Sequence, residues 1–149
     1  MKLNPDCIRD LMLYFEEQTK LVSTGSLTFF GVVSANTIKQ GSAFSDDLKQ
    51  YSPEERVYHV IQLSDSGYIA TNYRFDPEHN FTKLPIPSVY YVTPKGHEFI
   101  ASIRKPESWA KTSSILKKLG TLSLSIIESV SKGITEAAIN ASIAKQSGI

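Results

Sequence analysis

The stretch from Ser52 to Gly67 constrains this chain more than any other, because it carries both a helix start and a helix stop. In Ser52-Pro53-Glu54-Glu55 the serine hydroxyl can accept the Glu55 N–H, the Glu55 carboxylate can reach back, and proline fits the first helical turn. Gly67 supplies the left-handed residue that ends such a helix. The pattern predicts a helix over 53–66. Residues 68–75 (YIATNYRF) are then strand-like, 76–87 are polar and proline-rich, and Val89-Tyr90-Tyr91-Val92 is strand-like again. A short helix beside two strands cannot bury its apolar side alone, so neighbouring segments must supply a core.

Those segments are legible to different degrees. Asn4-Pro5 opens a helix over about 5–20, with Ile8, Leu11, Met12 and Phe15 at helical spacing. Cys7, in its first turn, reads as small core filler. Gly25 and the β-rich stretch 26–38 end the helical period, but Phe29-Phe30-Gly31 spoils the alternation that would set a register. Ser45 opens a short helical piece over 45–50. Thr93-Pro94 opens a helix bearing Phe99, Ile100 and Ile103, Pro106 restarts the period, and Gly120 breaks it. Helical spacing resumes through Leu122, Ile126, Val130, Ile134, Ala138 and Ala141, with Gly133 a weak point. This order predicts an α+β fold: a winged helix-turn-helix-like core over 1–104, with a loop at 76–87 as the wing, and a helical extension over 105–149.

Composition narrows the function classes. With 41% hydrophobic and 21% charged residues, the 149-residue chain is neither disordered nor a coiled-coil rod. A formal charge of +1 argues against nucleic-acid binding by sheer charge. One cysteine excludes an internal disulfide and a multi-cysteine zinc module. The absence of a long apolar run or signal-like amino end makes the cytoplasm the default location and gives no expectation of membrane contact. The charge is unevenly spread, however: residues 1–94 carry 8 basic and 11 acidic side chains, whereas residues 95–118 carry 6 and 2.

In a winged-helix arrangement the helix at 53–66 would be the recognition helix. Two partner readings stay open. If the partner is double-stranded DNA, Arg56 and Gln62 would read base edges, and Arg74 and Lys83 would flank the wing. Against this, residues 45–66 hold five acids and two bases, which opposes phosphate approach. If the partner is a protein, an exposed Glu55/His59/Gln62 face would carry the contact. Catalysis has thinner support: His59, His79 and His97 are far apart, and Ser64-Asp65-Ser66-Gly67 has no nucleophile elbow around it. No catalytic residue, metal or cofactor is expected, and the chain reads as a non-enzymatic regulatory or adaptor protein. Ile126, Val130, Ile134 and Ala138 suggest a homodimer through the C-terminal helices.

The segments MKLNPDCIRDLMLYFEE, YHVIQLSDSGYI (58–69), TPKGHEFIASIR (93–104) and ILKKLGTLSLSII together resemble the bacterial and prophage family known as domain of unknown function 2513, over about residues 1–130. The resemblance implies a phage-related context, and its likeness to winged-helix proteins rests on the same 67–69 and 93–100 segments. It implies no catalytic residue and no DNA contact.

Overall fold

The computed structural model describes residues 1–41, 46–72 and 87–146, and within these the chain is mixed helix and short antiparallel sheet. It divides into two compact units, Met1–His97 and Glu98–Ile149, the division falling inside a helix.

In the first unit, α1 (Pro5–Gln18) starts where Asn4 accepts the N–H groups of Asp6 and Cys7. Its Cys7, Ile8, Leu11, Met12 and Phe15 form one wholly buried stripe. The hairpin β1 (Leu21–Thr24) and β2 (Leu27–Phe30) follows, registered Thr24 to Leu27 across Gly25-Ser26. Strand material therefore begins earlier than the sequence reading placed it and ends sooner. The β-rich reading of 26–38 is corrected at its end, where Ala35–Gln40 forms helix α2. Ser34 accepts the Thr37 N–H at 3.2 Å, and left-handed Gly41 closes the helix, so local capping overrides the β-branched residues Thr37 and Ile38.

Helix α3 (Asp46–Lys49) is short, and α4 (Pro53–Asp65) is the capped helix expected. Strand β3 (Ile69–Thr71) pairs antiparallel with β4 (Val89–Val92), with a register shift at Ala70/Thr71. On its other side β4 is bridged by Val33, which exchanges two backbone hydrogen bonds of 2.9 and 2.8 Å with Val89. β4 thus lies between β3 and Val33. Residues 73–75 of the expected strand, the expected loop over 76–86, and Ser45 lie outside the described residues.

α5 (Pro94–Ile103) begins in this unit, capped by Thr93. At Gly96 a Cβ would stand 2.0 Å from the Tyr68 carbonyl oxygen, so only glycine admits this helix so close to the end of α4. The second unit continues α5 and adds α6 (Pro106–Lys117) and α7 (Leu124–Gln146), the restarts at Pro106 and after Gly120 being as expected. α6 packs against α7, with Trp109, Thr112 and Leu116 buried on one and Leu124, Ile127 and Ser131 on the other. Ser102 and Ser131 place their hydroxyls 2.8 Å apart, and Thr135 donates to the Ser102 carbonyl. Gly133 does not interrupt α7.

Candidate functional site

α4 is positioned at both ends by residues other than its own. At its start, Ser52 Oγ accepts the Glu55 N–H at 3.1 Å. The Glu55 carboxylate, expected to fold back onto Ser52, instead receives Asn4 Nδ2–H at 2.9 Å. At its end, left-handed Gly67 allows Tyr68 N–H to reach the Leu63 carbonyl, and Gly67 N–H to reach that of Ser64. The last turn has no base of its own. Lys95 of α5 supplies one, donating to Ser66 O at 3.0 Å while its ammonium lies 4.7 Å from the Tyr68 ring centroid.

The exposed Glu55/His59/Gln62 face expected on α4 is corrected at His59, and Arg56 beside it is also buried. His59 is fully buried. Its Nε2 accepts the Asn4 backbone N–H at 2.8 Å, and its Nδ1–H donates to Glu55 O at 2.7 Å, which fixes a neutral tautomer. Burial holds its pKa below the ordinary imidazole value, against the opposing pull of the Glu55 carbonyl and carboxylate. Asn4 is therefore a hub that caps α1 with its side-chain oxygen and ties it to α4 with both its nitrogens.

Arg56 is 3% exposed and faces inward. Its guanidinium donates to Ile38 O and Lys39 O, each at 2.9 Å, and to Tyr51 O. The first two are carbonyls of the last turn of α2, which that helix leaves unmatched. A buried cation on three carbonyls is a splint between helices. No sequence signal pointed to this, because α2, which supplies two of the carbonyls, was itself read as part of a β-rich stretch.

Of the remaining candidates, Glu55 is half-buried and tied to Asn4, and Gln62 is half-buried on α4. Arg74 and Lys83 lie outside the described residues. The structure thus brings Glu55 and His59 together around Asn4 and turns Arg56 toward α2. What α4 shows to solvent in charge is acidic: Glu54 and Asp65 are exposed, and no base of the helix joins them.

Nearby titratable groups also serve packing. Cys7 is wholly buried and its thiol is pushed up to about 12, first by burial and then by the Glu55 and Asp10 charges, which fits the core-filler reading. Tyr51 donates to Asp10 at 2.7 Å, and burial raises the Asp10 carboxyl despite that bond. His97, exposed at the start of α5, faces Glu16 at 3.9 Å. Among the described residues no group of three His, Cys, Asp or Glu side chains is arranged to hold a metal ion, and no helix is long and apolar enough to cross a membrane.

Sequence reading missed the exposed apolar groups. Tyr90 and Tyr91 are adjacent yet both exposed, beside the register shift in the sheet. Leu21, Val22 and Leu27 are exposed on the first hairpin, and Ile139 and Ile143 on α7.

A family model described as "Hypothetical protein (DUF2513)" matches residues 2–123. The chain belongs to this family. The DUF2513 match takes in α1 through α6 and stops just before α7. Comparison with curated proteins and with solved structures returns no match.

Proposed function

We propose that this DUF2513 chain is a small non-enzymatic regulatory or adaptor protein, in the phage- or prophage-related setting its resemblance implies. It acts by binding a protein partner through its first unit and associates with itself through its C-terminal helices. The observation that carries the protein-binding reading is Arg56. The one base of α4 is used inside the fold, so the helix meets a partner with Glu54 and Asp65, a surface that repels phosphate. We read the first unit as a winged-helix scaffold, supported by the order α1, β1, β2, Val33, α2, α3, α4, β3, β4, in which the β1–β2 hairpin is an addition, and by β4 pairing on both sides.

The same element order favours a second reading, binding of double-stranded DNA, in which Arg74 and Lys83 carry phosphate contacts. Recovery of partners from host lysate, with and without nuclease, separates the two. The protein reading expects a nuclease-resistant partner that is lost from the double variant Glu54→Lys/Asp65→Lys. Recovery of DNA fragments that the double variant holds more tightly, with affinity falling steeply as salt rises, would establish the DNA reading instead.

A further inference from the structure

We propose that a groove between α7 and the α5–α6 corner is the seat of self-association, and that its occupant is α7 of a second copy of this chain. This rests on the self-association read above and names the face that performs it.

The first half of α7 is anchored on one stripe by Leu124, Ile127 and Ser131. Beyond Thr135 the support ends, and every residue from Glu136 to Gln146 is exposed. Ile139 and Ile143, one turn apart, are 52% and 59% exposed. They do not match the stripe that spacing suggested: Ile126, Val130 and Ile134 are each partly covered within the chain, and only Ala138 of that set is exposed. Ile139, Ile143 and Ala138 form one wall of a groove of about 370 Å³, whose other wall includes Ala101, Lys105 and Ser108.

Charge identifies the occupant. Lys105 is the one charged residue among those lining this groove, and it brings an exposed ammonium to an otherwise apolar and hydroxyl-bearing wall. The fitting ligand is a helix with two apolar side chains one turn apart and a carboxylate on the same side. α7 has this pattern itself: Glu136, Ile139 and Ile143 stand at i, i+3 and i+7. A two-fold axis lets each copy offer both groove and helix, so the Lys105–Glu136 contact forms twice and each pair of isoleucines is covered by the other copy. Few large side chains take part, so the dimer is a reversible one, with a Kd on the order of ten micromolar.

Sedimentation equilibrium on the full chain, from about 1 to 200 μM, tests this range. The wild type should show a monomer–dimer equilibrium, and Ile139→Lys/Ile143→Lys should weaken it at least about tenfold. Both positions are exposed, and an unchanged circular dichroism melt of the monomer would verify that the fold survives. Lys105→Glu and Glu136→Lys should each weaken association by about threefold or more, and the two together should restore it. A dimer indifferent to the isoleucine variants would overturn this face while leaving self-association elsewhere. Weakening by the isoleucines with no restoration by the charge exchange would overturn α7 as the occupant. A chain monomeric at every concentration would overturn both the groove and the self-association it rests on.

Discussion

α4 and α7 solve opposite problems. α4 is 13 residues long, capped at both ends, and fastened by buried polar side chains to α1 and α2. α7 is 23 residues long, buried only at Leu124, Ile127 and Ser131, and bare over its last turns. The shorter helix has its position dictated by hydrogen bonds to carbonyls and amides that water cannot replace. The longer one is held by apolar contact and by the Ser131 and Thr135 bonds to Ser102, and both kinds of support stop near its midpoint. Polar anchoring makes a helix's place unique, whereas a half-covered apolar helix leaves a surface to be used.

The sharpest way to break this contrast is to remove the splint. Arg56→Ala should leave the Ile38, Lys39 and Tyr51 carbonyls without their donor and cost about 4 kcal/mol, since charged hydrogen bonds contribute roughly 1.5–3 each and buried orphan groups add to the loss. Urea unfolding followed by circular dichroism would measure it, and a loss below about 1 kcal/mol would contradict the splint.

Next comes Gly96→Ala. Its new methyl would meet the Tyr68 carbonyl oxygen at 2.0 Å, and displacing α5 from the end of α4 should cost about 2–3 kcal/mol. Crowding of this kind is absent at Gly133, where a Cβ meets nothing within 4 Å, so Gly96 and Gly133 should respond with opposite signs.

The third prediction concerns pH. His59 has a lowered pKa in the folded chain and an ordinary one, near 6.5, when unfolded. The unfolded chain therefore takes up the proton first as pH falls. The stability due to neutral His59 is complete above about pH 6.5 and is lost as pH drops from there toward the folded value. Stability should therefore fall as pH drops from 7 to 5. His59→Gln, which offers an acceptor to Asn4 but no titration, should flatten the urea midpoint over that range. An unchanged slope would mean that another group governs it. Asp10 works the other way at lower pH: its raised pKa lets the folded chain bind a proton before the unfolded chain does.

The smallest effect sharpens the α7 side of the comparison. Gly133→Ala in the middle of α7, with open space around it, should stabilise the second unit by about 1 kcal/mol. Amide exchange along 124–146 would report it as slower opening on both sides of the substitution.

Helices with strong local punctuation were legible in the sequence: Asn4-Pro5, Ser52-Pro53, Thr93-Pro94 and Pro106 all stand at observed starts. α2 escaped because Thr37 and Ile38 speak for strand, while Ser34 and Gly41, which carry its caps, are modest signals when read singly. The candidate surface was less legible than the fold. A spacing of four, three and four places Glu55, His59, Gln62 and Ser66 on one arc but does not say which way that arc turns. Asn4, more than fifty positions away, decides it by drawing Glu55 and His59 toward α1. The burial of Arg56 was illegible for a similar reason, because its carbonyl partners come from the very helix the sequence concealed.

The pairing around β4 has a consequence for how this scaffold tolerates change. Asn72 Oδ1 accepts the Ser88 N–H at 2.8 Å, the Asn72 N–H reaches Ser88 O at 3.4 Å, and Val33 grips Val89 next door. The chain leaving β3 and the chain entering β4 are thus stapled at their roots. Closing a longer connection between fixed ends costs only about 0.6 kcal/mol for each doubling of its length. A change in the length of chain between Asn72 and Ser88 should therefore cost little while the register at Val33, Ile69 and Val92 is kept.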